Sequence, residues 1–200
     1  MRNFRASDIF TVPNAISAVG LGLVVHGSAR ADTGWGITET VIGRLLDLLD
    51  GKVARMLNQS SEFGAGIDAA FDKAGVLAIG INEWRGRIAP RPALLAIAVQ
   101  NAVNLAATAL ATRLGGDDEL APAVDGKSAM AYQNGALGAY AVSALFRTRS
   151  RPTSIIFRVI GDIDTLVGTG YFGVKASRHY ICRVVGLTAA RRTRRSPRLA

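Results

Sequence analysis

Cysteine is almost missing from this chain: Cys182 is the single one in 200 residues. That excludes an internal disulfide and any paired-cysteine metal site. Histidine is equally scarce, and His26 and His179 are too few and too scattered for an imidazole metal centre. Aromatic residues make up only 6% and do not interleave with the basic ones. No nucleic-acid motif occurs, so nucleic acid is excluded as a partner. Acids are outnumbered, 15 against 24 Lys and Arg, leaving a net charge of +9. A basic excess without nucleic-acid features points to an anionic membrane surface. Long uninterrupted apolar runs are also wanting, although 49% of the residues are hydrophobic and the mean hydropathy is +0.23.

What the chain does have is a set of six apolar stretches separated by short polar breaks. They cover residues 13–26, 35–49, 67–81, 92–111, 128–146 and 155–174. A full bilayer crossing needs about 20 apolar residues, and several stretches are shorter or carry polar groups. The alternative on composition is a soluble bundle of Ala-rich core helices. Pro13 with Asn14 or Ser17 predicts the start of the first helix. Ser60 and Ser61 predict caps for the third, and Pro90, Pro92 and Pro152 break the chain before the fourth and sixth. The arginine-dense end, residues 191–198, predicts a disordered segment lying against anionic headgroups.

The chemistry concentrates between Asp47 and Asp72, in DLLDGKVARMLNQSSEFGAGIDAAFD. Asp47 and Asp50 lie three residues apart and Asp68 and Asp72 four, so each pair shares one helix face. Two such pairs facing each other form a cage of hard oxygen ligands, the set that Mg²⁺ or Mn²⁺ prefers. Without cations the cage repels itself. An EF-hand needs alternating oxygen residues in one twelve-residue loop, which this stretch lacks. A haloacid dehalogenase-type phosphatase needs Asp-x-Asp, whereas two leucines separate Asp47 from Asp50.

This stretch resembles the signature of the CDP-alcohol phosphatidyltransferase family, D-x-x-D-G-x-x-A-R-x8-G-x-x-x-D-x-x-x-D. Asp47, Asp50, Gly51, Ala54, Arg55, Gly64, Asp68 and Asp72 fill every defined position. The resemblance implies an all-α polytopic membrane protein with six transmembrane helices and a cytoplasmic-side active site. Its membrane domain is expected over residues 1–176, with a basic, disordered cytoplasmic tail over 177–200. Implied is transfer of a phosphatidyl group from CDP-diacylglycerol to a small alcohol, releasing CMP. Asp47, Asp50 and Asp68 are implied as ligands of two Mg²⁺ or Mn²⁺ ions. Asp72 is implied at the same metal site and as general base. Gly51 and Gly64 would let a nucleotide approach the helix backbone, or else serve close helix packing. Ala54 is small beside the same groove, and Arg55 could hold a phosphate.

Outside that stretch, Pro13-Asn14 with Ser17 resembles the family's opening, but Gly20 stands where many members have arginine. Lys127 resembles a family lysine that binds an acceptor phosphate, with Gln133 further in; a snorkelling interface lysine is the alternative. Asp162 and Asp164 lie in the last apolar stretch, where acids are costly and often functional, and have no assigned role. Arg55, Lys73 and Lys127 favour a phosphorylated acceptor. Ser61 to Gly64 with Asp72-Lys73 resembles the branch using glycerol 3-phosphate, although Ala69 replaces that branch's usual proline. A phosphatidylinositol phosphate synthase using inositol phosphate is the alternative. From another class, a non-catalytic membrane protein retaining the scaffold would lack an aspartate or a motif glycine. Expected further are membrane lipids as partners, a homodimer, and a multi-pass place in the cell membrane. Six spans put both termini in the cytoplasm with the basic ends. Arg85, Arg87, Arg91, Arg147, Arg149 and Arg151 then fall on the far side, against the same rule.

Overall fold

The computed structural model describes residues 11–57, 62–114 and 124–195; the side chains of Leu48, of residues 62–69, of Ala190 and of residues 192–195 lie outside the described set. Among the described residues there is no strand. The helices are α1 (Val12–Ser28), α2 (Gly34–Met56), α3 (Glu62–Gly86), α4 (Arg91–Arg113), α5 (Val124–Phe146), α6 (Arg151–Thr165) and α7 (Val174–Arg195). A π-helical segment, Leu166–Gly173, joins α6 to α7 without a break. Among the described residues the result is six continuous rods, one for each apolar stretch of the sequence.

Local chemistry explains where the rods begin. Thr11 caps α1, accepting from the Asn14 amide at 3.4 Å, so the cap precedes Pro13 and is neither Asn14 nor Ser17. Proline suits the first turn because its missing N–H would be unpaired there. Thr33 caps α2 in the same way, accepting from the Gly36 amide at 3.0 Å. The expected caps Ser60 and Ser61 lie outside the described residues.

By contact the chain divides into two compact units, Met1–Pro90 with Leu137–Arg158, and Arg91–Ala136 with Val159–Ala200. The stretch 1–176, expected as one membrane domain, is shared between both. In the first unit α1 and α2 pack with almost no side chain between them. A Cβ at Gly43 would lie 2.5 Å from the Gly20 carbonyl oxygen, and one at Gly27 would lie 2.6 Å from the Gly36 carbonyl oxygen. These glycines let the two backbones touch, the small-residue contact common between membrane helices. Gly20 thus has a packing reason to replace the family's arginine. Asn82 of α3 donates to the buried Ser28 hydroxyl of α1 at 2.8 Å.

The second unit is held by amides. The Gln133 side chain donates to Gln100 at 2.7 Å and to Thr169 at 3.2 Å, and accepts from Asn101 at 2.8 Å. Gly168 lies against α5, where a Cβ would meet that of Tyr132 at 2.7 Å. Tyr132 stacks on Phe172 at 5.5 Å.

Two expectations need correction. The segment expected as a disordered tail from residue 177 is helical throughout its described part, because α7 continues to Arg195. Alanine and arginine are strong helix formers, and the charge density alone hid this. Second, α4 is the one described helix long and apolar enough to cross a membrane by composition. α1 is apolar but only 17 residues long, and α2 carries Glu39, Arg44 and Asp47 inside its apolar stretch. Six crossings are therefore proposed, not observed. Large apolar side chains such as Leu77 (61% exposed), Val99 (60%) and Leu166 (70%) nevertheless lie on the outside of the units.

Candidate active site

Asp47 and Asp50 lie near the end of α2, and Asp72 lies on α3. The carboxylates of Asp47 and Asp72, 25 positions apart in the chain, meet at one guanidinium. Arg44 Nη1 is 2.7 Å from Asp72 and 3.6 Å from Asp47. Arg44 stands one turn before Asp47, on the same face of α2. Gly75, one turn after Asp72, borders the guanidinium: a Cβ there would lie at ordinary contact distance, 3.4 Å from Arg44 Nη1. Asp50 is buried at 2% exposure. Its carboxylate accepts a short hydrogen bond from the Ser17 hydroxyl of α1, whose oxygen is also 3.0 Å from the Pro13 carbonyl.

Asp68 and Gly64 belong to α3, but the Asp68 side chain and the surroundings of Gly64 lie outside the described residues. Among the described residues no three acid, histidine or cysteine side chains form a metal cluster. The chemistry of the set still fits a hard divalent cation. Asp47 and Asp72 already converge on one positive charge from two helices, and Asp50 lies one turn from Asp47 with hydroxyl support.

Gly51 has only one near neighbour among the described residues, the Arg55 guanidinium at 3.7 Å from its would-be Cβ. Arg55 is exposed and Ala54 half-buried. The Arg55 side chain folds back over Gly51, toward the aspartate side of α2.

Lys127 is an exposed residue of α5 in the second unit. Gln133, expected further along the same helix as part of an acceptor site, is 2% exposed and spends its amide on Gln100, Asn101 and Thr169. Its role is structural. Asp162 is exposed; Asp164 is half-buried, its oxygen 2.9 Å from where a Gly135 Cβ would stand.

Sequence reading passed over Arg44 and Glu83. The i, i+3 spacing from Arg44 to Asp47 was a usable signal, whereas its contact with Asp72 depends on how α2 and α3 pack. Glu83 of α3 is 0% exposed, and neither carboxyl oxygen has a hydrogen-bond partner among the described residues. No spacing marks it.

A cleft of about 370 Å³ lies elsewhere, lined by Asp32, Thr33, Gly34, Arg147, Thr148 and Arg149 among others. Gly34 opens α2 and Asp50 follows sixteen residues later, roughly 24 Å along the axis. The cleft is therefore at the far end of α2 from the aspartates and is not this site.

The family model for CDP-alcohol phosphatidyltransferases matches residues 6–166. Proteins provisionally named cardiolipin synthase, from Mycobacterium bovis and two strains of Mycobacterium tuberculosis, are each 41% identical to the chain over 78 residues. That match covers 36% of the chain and 37% of each relative, so the chain spans little more than a third of their length. No solved structure matches it.

Proposed function

Because the chain belongs to the CDP-alcohol phosphatidyltransferase family, we propose that it transfers a phosphatidyl group from CDP-diacylglycerol to glycerol 3-phosphate. The enzyme is a transferase of substituted phosphate groups acting in phospholipid headgroup transfer. The observation that carries the site is the convergence of Asp47 and Asp72 from two helices on one cation.

The family is generally dependent on divalent metal. Asp47, Asp50, Asp68 and Asp72 would hold Mg²⁺ or Mn²⁺, which when bound neutralises the pyrophosphate and stabilises the departing CMP. The acceptor oxygen forms a bond to the phosphatidyl phosphorus as the bond from that phosphorus to the bridging oxygen breaks. CMP leaves with the bond's electron pair. Asp72 takes the hydroxyl proton, which requires the acceptor close and water scarce. Ser17 orients Asp50 by donating to it. Gly51 and Gly64 leave space for cytidine against the backbone, and Arg55 pairs with a phosphate. Lys127 binds the phosphate of the acceptor.

The apolar exteriors of the helices support a multi-pass place in the cell membrane, and the basic residues at both ends of the chain favour a site facing the cytoplasm. The relatives' name supports a second acceptor class, a glycerol hydroxyl carried on a phospholipid, since cardiolipin is itself a lipid. Purified protein in detergent should release CMP from CDP-diacylglycerol only with Mg²⁺ or Mn²⁺ and an acceptor, and EDTA should stop it. A screen of glycerol 3-phosphate, inositol 1-phosphate and phosphatidylglycerol separates the acceptors. Asp68→Asn should abolish turnover; a variant that keeps it would remove that residue from the site.

A further inference from the structure

We propose that Arg44 is a resident cation of the aspartate site, which partly replaces divalent metal there and weakens its binding. The inference rests on the metal reading given above and adds a residue that the family signature does not contain. Four aspartates in one region carry four negative charges, and such a cluster is unstable unless cations offset it. Arg44 offsets one of them with the positive charge of its guanidinium. Its position is specific: Nη1 lies 2.7 Å from Asp72 and 3.6 Å from Asp47, on two different helices. The Arg44 side chain is 22% exposed, so solvent screens its charge only in part.

Two consequences follow from electrostatics. Before metal binds, Arg44 holds the carboxylates of Asp47 and Asp72 together across α2 and α3. Once a divalent ion arrives, the guanidinium repels it, or must yield its hold on Asp72. Arg44 therefore makes the metal-free protein more stable and its metal affinity lower than four aspartates alone would give.

The experiment is Mn²⁺ binding to purified protein in detergent, by calorimetry and by electron paramagnetic resonance of the free ion. It compares the wild type with Arg44→Gln, Arg44→Lys and Asp50→Asn, and follows thermal unfolding with and without Mn²⁺. Arg44→Gln should bind Mn²⁺ roughly tenfold more tightly, as expected for removing one nearby positive charge at partial exposure. Its unfolding temperature should be lower without metal and rise further on adding it. Arg44→Lys keeps the charge and should bind as the wild type does. Equal or weaker binding by Arg44→Gln would overturn the proposal. Recovery of Arg44→Gln only when Mn²⁺ is present supports it, since metal then does the work of the lost cation. Failure to recover that variant under either condition, with Arg44→Lys folding normally, would make Arg44 a structural anchor and overturn the competition. If the wild type binds no Mn²⁺ and Asp50→Asn changes nothing, the metal reading itself falls, a result distinct from the others.

Discussion

The Ser17 hydroxyl donates to the Asp50 carboxylate, tying α1 to α2 across 33 positions of chain. Both residues are buried, at 4% and 2% exposure, so neither has ready access to water as a substitute partner. Ser17→Ala would leave a buried carboxylate short of a donor. A hydrogen bond to a charged group contributes about 1.5–3 kcal/mol, and the expected loss of stability is roughly 2 kcal/mol. Thermal unfolding in detergent measures it. Turnover should also fall, because Asp50 would lose the contact that orients it, while Ser17→Thr should restore most of both.

Gly43 is where α2 lies against α1, one residue before Arg44 and one turn before Asp47. A methyl group there would sit 2.5 Å from the Gly20 carbonyl oxygen and 2.8 Å from Val24 Cγ2. The oxygen belongs to backbone and cannot rotate away, so the helices must separate. Alanine gains about 1 kcal/mol over glycine in helix propensity, but overpacking of this kind costs about 1–3 kcal/mol. Gly43→Ala should therefore lose stability overall and displace the aspartates enough to lower turnover. Gly80 provides the contrast, since a Cβ there meets nothing described within 4 Å. Gly80→Ala should be neutral or more stable; equal behaviour of the two variants would refute the close crossing.

Gln133 and Lys127 share a helix but should respond differently. Replacing Gln133 with leucine strands the buried side chain of Gln100, whereas Asn101 is exposed and keeps the Ile97 carbonyl; an unsatisfied buried group costs about 1–3 kcal/mol. Gln133→Leu should thus lower stability by roughly 2 kcal/mol without a selective effect on the acceptor KM. Lys127→Ala, at an exposed position, should stay within about 0.5 kcal/mol of wild type and raise the KM for a phosphorylated acceptor. Steady-state kinetics on both variants, with unfolding curves, separate the two roles. An unchanged acceptor KM in Lys127→Ala would reduce that lysine to an interface residue.

The sequence made the rods legible because helix signals are local. Proline and apolar stretches act within a few residues, and the six described rods follow those stretches, although the caps Thr11 and Thr33 were not among the predicted ones. For the proposed aspartate site the legible part is local too: a spacing of three puts Asp47 and Asp50 on one face of α2. What sequence left hidden depends on contacts between distant residues. The bond from Ser17 to Asp50 and the reach of Arg44 to Asp72 arise only when helices pack. Gly20 was noticed as a departure from the family's arginine, but its reason, the Gly43 carbonyl beside it, is visible only in three dimensions. For α7 the error was of another kind, a run of arginine weighed as charge when its helix propensity mattered as much.

Glu83 tests whether a buried acid serves stability or opposes it. It is wholly shielded from solvent, and its two carboxyl oxygens have no donor among the described residues. A buried polar group without partners costs free energy that an apolar group of similar size does not. Methionine has nearly the same length and adapts its shape to irregular space. Glu83→Met should therefore unfold at a higher temperature, by roughly 2–4 °C for each kcal/mol gained. Glu83→Ala should unfold lower than Glu83→Met, since it opens a cavity. A drop in unfolding temperature for the methionine variant would mean that the carboxyl is held by something it binds, and the destabilising role assigned to it would be wrong.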